Sequence, residues 1–376
     1  MINCQKNLFN IEKDIHYLNC AYMAPILKES EKLAIDAIHR QRTPHIFKPH
    51  HFFEITNKIK EQFGMLISSS SDNIAIMPST SYGFANALNN LKTTGKKAIT
   101  IGNEFPSGYF AIEKWSKKNN KKLIAVEQED LTPQQWNNQI IDNINEDTAV
   151  VLISSVHWMN GIKLNLEEIG EKCKKTGAYF IVDGTQSVGA VPINVKELNI
   201  DALICAGYKW LFGPYSMALG YFSERFNNGI PIEESWMNRS NAQNFSELTE
   251  YDSNYMPYAG RYNVGQTTNF ILSPIMLNGL EQLNKWGIAN INKYCNLLYD
   301  ELKELCQNMD INFVDKNDSS QHLFSLGISK KTNSKEIKEK LEKKNVFVSL
   351  RGEFLRVSLN VFNNSNDLKK LVESIS

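Results

Sequence analysis

No Cys-x-x-Cys pair occurs among the six cysteines, which stand at positions 4, 20, 173, 205, 295 and 306. That scatter excludes the usual zinc knuckle and disulfide frame, and predicts reduced thiols in a cytoplasmic protein. His50 and His51 adjoin but bring no ligand set with them, so no metal site is expected. Charge of one sign is not in excess: 41 basic residues meet 41 acidic ones. Binding to nucleic acid or to a membrane surface by bulk electrostatics is therefore excluded. No apolar run approaches bilayer length. The opening Met-Ile-Asn-Cys-Gln-Lys-Asn lacks the basic and apolar regions of a signal peptide, so secretion is not expected. The Gly-x-Gly-x-x-Gly turn of nicotinamide enzymes is absent as well. No DNA-binding helix-turn-helix is expected ahead of the first motif, which disfavours a non-catalytic cofactor sensor.

What is present is an ordinary globular composition over 376 residues, 42% hydrophobic and 22% charged. That length exceeds one core and predicts a large domain with a smaller one. The most informative stretch is the apolar run Ala178–Val182, which stops on Asp183 and turns through Gly184-Thr185-Gln186. A second run, Ala202–Ala206, ends on Gly207-Tyr208-Lys209. In an open α/β sheet chemistry gathers beyond the carboxyl ends of strands, so Asp183 and Lys209 are expected to meet in one crevice. An amine and an acid so placed suit pyridoxal 5'-phosphate. The lysine forms a Schiff base with the aldehyde, the acid keeps the pyridine nitrogen protonated, and Gln186 can donate to the ring 3-oxygen.

Asp-x-x-Gln, a strand, and then Gly-Tyr-Lys-Trp-Leu-Phe-Gly-Pro at 207–214 resembles the class V aminotransferase family of fold-type I pyridoxal-phosphate enzymes. That family includes cysteine desulfurases, kynureninase and isopenicillin-N epimerase-like proteins. Further motifs follow in the family's order. Ser79-Thr80-Ser81-Tyr82 before an Ala-rich run reads as a helix N-terminus, a ready phosphate cradle. The resemblance puts Thr80 and Ser81 on its hydroxyl positions. Glu104-Phe105-Pro106 resembles the segment whose aromatic residue, here Phe105, stacks on the pyridine. Past the strand Thr148–Ser154, His157 stands where the resemblance implies a residue near the 3-oxygen and the substrate. Tyr208 is implied on the phosphate. Gln266, in Arg261-Tyr262-Asn263-Val264-Gly265-Gln266, is implied to reach a partner subunit's phosphate, hence a homodimer. Asn19 resembles the substrate-side entry segment. Arg356, in Leu355-Arg356-Val357-Ser358, is the implied clamp for the substrate α-carboxylate. Arg351 reads either as a second anchor or as a surface charge.

The βαβ alternation predicts a three-layer, mainly parallel, doubly wound sheet. The expected division is an N-terminal arm at 1–20, a large cofactor domain at 21–272, and a linker helix with a small α+β domain at 273–376. The linker helix is predicted as one span, from about Ser273 to Asn308. The strand after Lys209, Ser216–Phe222, is expected to close the large sheet. The small domain is predicted to hold strands at His322–Ile328, Val346–Leu350 and Phe354–Leu359. The resemblance implies an enzyme that deprotonates an amino acid at Cα, first an aminotransferase and second a lyase or epimerase. No cysteine follows Cys306, which disfavours persulfide chemistry in the loop before Arg356.

Overall fold

The computed structural model describes residues 2–311, 313–327, 334–351 and 354–376. A seven-stranded sheet in the order β2-β8-β7-β6-β5-β3-β4 dominates the chain. Its strands are β2 (Ile74–Met77), β3 (Lys97–Ile101), β4 (Lys122–Val126), β5 (Thr148–Ser154), β6 (Tyr179–Asp183), β7 (Ala202–Ala206) and β8 (Ala218–Phe222). The pairs from β4 to β7 are parallel, whereas β8 runs against both β7 and β2. Every residue of β5, β6 and β7 is buried. A parallel strand covered on both faces needs that continuous apolar run rather than alternation.

Helices cover both faces: α1 (Lys28–Gln41), α2 (His51–Ile67), α3 (Thr80–Asn89), α4 (Pro106–Lys118), α5 (Pro133–Asp142) and α6 (Leu166–Thr176). Their ends follow local chemistry. Thr132 and Gln135 form a capping box on α5, a device in which the cap side chain is worth about 1 kcal/mol. Gly177, at φ 77°, stops α6 in the left-handed region that glycine enters without strain. Leu166, Ile169, Gly170 and Cys173 of α6 are buried at helical spacing and fix its inner face.

Two expectations are corrected here. The large sheet is closed by β2, not by β8, which is an interior strand. The linker helix is two helices, α7 (Leu272–Trp286) and α8 (Ile288–Leu305), broken at Gly287 with φ 77°.

The C-terminal part holds β9 (Leu323–Gly327), α9 (Ser334–Lys343), β10 (Val346–Phe347), β11 (Ser349–Arg351), β12 (Phe354–Ser358) and α10 (Ser365–Ile375). Its sheet is antiparallel, ordered β11-β12-β9. The single strand predicted over Val346–Leu350 is divided instead. Its first half, β10, pairs in parallel with β1 (His16–Tyr17) of the N-terminal arm, while β11 joins β12. The predicted strand end at Ile328 lies outside the described residues. The arm is tied to the small sheet again through the Asn19–Ser358 bridge. Between Asn227 and Asn269 lie 3-10 turns of three to five residues and one isolated antiparallel bridge, Arg239 to Tyr255.

Candidate active site

Strands β2, β3, β5, β6 and β7 all point the same way, so their carboxyl ends share one edge of the sheet. The start of β8 comes back to that edge. A cavity of about 320 Å³ opens there, lined among others by Thr80, Ser81, Phe105, Trp158, Asp183, Gln186, Tyr208 and Lys209. Each side chain arrives from a different strand end, which is why the motifs lie far apart in sequence and together in space.

Asp183 closes β6 and is 5% exposed. Its Oδ1 accepts the Thr185 amide at 2.9 Å, and the Thr185 hydroxyl in turn accepts the Ala206 amide at 3.1 Å. The turn is thereby tied to β7, one residue ahead of the lysine loop. Burial raises the Asp183 carboxyl above its ordinary value, opposed by the Thr185 bonds and the Lys209 charge. Lys209 is 6% exposed, and among the described residues nothing hydrogen-bonds or ion-pairs its amine. Its Nζ sits 5.5 Å from the ring centroids of Phe105 and Tyr208. Burial pulls this amine down to about 8, Asp183 works in the opposite direction, and the Arg356 charge lowers it further. Those mutual influences put acid, amine and guanidinium in one electrostatic neighbourhood.

The β2–α3 junction supplies an anion cradle. Ser79 caps α3, its hydroxyl accepting the Tyr82 amide at 3.2 Å. The first amides of a helix have no partner within it, and Thr80 and Ser81 carry theirs, with two hydroxyls, to the cavity wall. Phe105 precedes α4 and meets Trp158 edge-on, centroids 5.6 Å apart. Gln186 lines the cavity, but its amide oxygen is held by Trp210 Nε1 at 2.8 Å and its nitrogen reaches the Ala21 carbonyl at 3.2 Å. One amide hydrogen is left for a ligand. Tyr208 faces the same space, stacked at a tilt on Tyr215.

Four of the residues expected from sequence lie off this cavity. Arg356 is 2% exposed, with Nη1 on the Trp158 carbonyl at 3.0 Å and Nη2 3.4 Å from the Ser349 hydroxyl. Asn19 accepts the Ser349 hydroxyl at 2.8 Å and so acts on Arg356 through serine. Gln266 is exposed at φ 57° and is not among the residues lining the cavity. His157 is not among the residues that line the cavity. Its Nε2 lies 3.1 Å from the Asn103 carbonyl, its Nδ1 is 2.9 Å from the Asn160 side-chain oxygen, and its ring packs on Trp136. Burial lowers it.

The next residue, Trp158, turns into the cavity instead, its Nε1 donating to the same Asn103 carbonyl at 2.8 Å. Asn103 adopts φ 51°, and that left-handed turn presents its carbonyl to both rings. Sequence reasoning also missed Glu104, a buried carboxyl that accepts the amides of Phe105 at 2.7 Å and Ser154 at 2.6 Å. Burial, then the Asp183 charge, pushes it up to about 8. An acid directly before the stacking aromatic was its one visible signal. His322 was missed too; its Nε2 lies 2.7 Å from the Gln186 carbonyl, reaching across from the segment that leads into β9.

Comparison with known proteins gives the family and the fold. The chain belongs to the aminotransferase class-V family, whose profile matches residues 36–371. It is 23% identical over 333 residues to an uncharacterized aminotransferase, YcbU, of Bacillus subtilis, covering 86% of this chain and 84% of that one. It is 26% identical over 278 residues to a probable cysteine desulfurase of Pyrococcus abyssi, covering 72% and 65% respectively. Among solved structures it is similar to a lysine mutant of the cystine C-S lyase C-DES, with glycine covalently linked to its PLP cofactor. That likeness has a TM-score of 0.85 at 16% identity, over 99% of this chain and 98% of the other. The fold is therefore that of the fold-type I pyridoxal-phosphate enzymes, and pyridoxal phosphate is the cofactor. The cavity fits it on this chain's own terms. A helix N-terminus awaits an anion, a buried amine lacks a partner, and the Ser154 hydroxyl is buried on the wall without one.

Proposed function

We propose that this protein is an aminotransferase acting on an amino acid, with Lys209 as the cofactor-attaching residue and mobile base. The reading rests on one observation: Asp183 and Lys209 line the same small cavity, with an anion cradle at its rim and Phe105 on its wall. When bound, pyridoxal phosphate supplies an electron sink for the pair left at Cα and a carrier for the amino group. Thr80, Ser81 and the start of α3 would hold its phosphate, Asp183 its ring nitrogen, and Phe105 its face. Gln266 of a second copy would complete the phosphate site in a homodimer. Arg356 would take the substrate α-carboxylate, since its Nε is buried without a partner and no described acid ion-pairs with it. Lys209, poised near neutrality, can both remove the Cα proton and return one.

Moving one proton between two carbons on the same face needs one base, and Lys209 is that base. Epimerisation needs a second base on the opposite face. Among the described residues His157 is spoken for by its neighbours, and the Cys20 thiol is buried and pushed up to about 12. The same thiol is a poor persulfide acceptor, because the thiolate is the nucleophile. The test is incubation of the purified protein with single amino acids and a keto-acid acceptor. The reading predicts a new amino acid and a new keto acid in equal amounts. Ammonia release or racemised substrate in their place would contradict it.

A further inference from the structure

We infer that the substrate carries an acid at the end of its side chain, and that Arg351 is the second anchor which selects it. This rests on the reading of Arg356 as the α-carboxylate clamp. In the β11–β12 pair, Ser349 stands opposite Arg356 and Arg351 opposite Phe354. Residues two apart on a strand share a face, and the residue diagonally across on that face is the next neighbour. Arg351 and Arg356 therefore project from one face of the hairpin. Both converge on Trp158: Arg356 bonds its carbonyl, and the Arg351 guanidinium lies 5.8 Å from its ring centroid. Trp158 is in turn a wall of the cofactor cavity.

Arg351 Nη1 donates to its neighbour's Leu350 carbonyl at 2.8 Å, while Nε is buried without a partner, as in Arg356. Among the described residues neither guanidinium has a carboxylate ion pair. The Arg351 charge also acts on Arg356, which burial and that charge together lower to about 10. Two like charges held on one face, one beside the Trp158 ring and one on its backbone carbonyl, make a site that lacks two anions. Each planar fork matches one carboxylate. An amino acid of the aspartate or glutamate class supplies both, one per arginine.

The experiment titrates the holoprotein with L-aspartate, L-glutamate, L-alanine and L-norvaline, following the cofactor's visible absorption. An acidic side chain is expected to bind at least about tenfold more tightly than a neutral one, the size of one charge-assisted hydrogen bond. Arg351→Gln should bring the two groups to similar affinities. Should that variant fold poorly, wild type serves alone: succinate should compete with the amino acid at least about tenfold better than propionate. Equal binding of neutral and acidic amino acids, or an Arg351→Gln protein that keeps the preference, would overturn this inference alone. Silence of the absorption to every amino acid would overturn it together with the aminotransferase reading.

Discussion

The Lys209 ammonium is uncomfortable where it stands. With no described partner and its value pulled down to about 8, a minority of the amine is neutral near physiological pH, far more than of an ordinary lysine. Capture of pyridoxal phosphate by the cofactor-free protein should therefore rise about tenfold per pH unit below that value and level off above it. Stopped-flow absorbance checks this; a plateau only above pH 10 would contradict it. Glu104 gives a second, opposite signature. Its folded value of about 8 lies above the ordinary 4.5, so the folded chain holds a proton that the unfolded chain has released. The stability it contributes is full below pH 4.5 and is lost as pH rises through about 8, on the order of a few kcal/mol. Denaturant titrations of the cofactor-free protein should show that loss, and Glu104→Gln should flatten it. Arg356→Gln should split two readouts. Removing an unpaired buried cation should leave the empty protein as stable or more so, while amino-acid affinity falls by about tenfold or more.

At the scale of elements, the strands were the plainest feature of the sequence. The runs ending at Asp183 and Ala206 are apolar throughout because both faces of β6 and β7 are covered, and their shortness and flanking turn residues mark them as strands. Helix faces such as that of α6 were equally plain. What could not be read was set by geometry outside the periodicity. Helical spacing persists on both sides of Gly287, so α7 and α8 looked continuous, and only its φ of 77° separates them. Val346–Leu350 is one β-rich run whose halves find different partners, a choice made by the N-terminal arm. That Trp158 rather than His157 lines the cavity was hidden for the same kind of reason. Beyond the end of β5 the facing of side chains depends on the Asn103 turn rather than on alternation. Glu104 and His322 bond backbone groups of distant segments, which no spacing in the sequence announces. The His322 link is testable. His322→Phe should preserve the apolar contact with Trp210, 4.4 Å between ring centroids, yet lose the bond to Gln186. We expect a cost of about 1 kcal/mol in chemical denaturation and weaker cofactor retention, since the Asp183 turn loses its outer support.

At the scale of the whole molecule, one sheet edge gathers five strand ends, and the small sheet closes over it carrying the guanidinium. Arg356 on β12, Trp158 beyond β5 and Lys209 beyond β7 make the link between the two parts the place where substrate would sit. The arm contributes as well, through Asn19 and through Ala24, whose amide donates to the Tyr208 carbonyl at 2.9 Å. Exposed Tyr22, Met23, Ile26 and Tyr215 lie on or near this rim, an apolar surface suited to a second copy bringing Gln266. Sedimentation should then find a dimer, and Gln266→Ala should weaken cofactor retention without changing the fold. The central claim, that one lysine holds the cofactor, has a direct test. The purified, coloured protein is reduced with borohydride, digested and mapped by mass spectrometry. The pyridoxyl label is expected on the peptide containing Lys209 and on no other. A label on a different lysine, or none at all, would contradict the account.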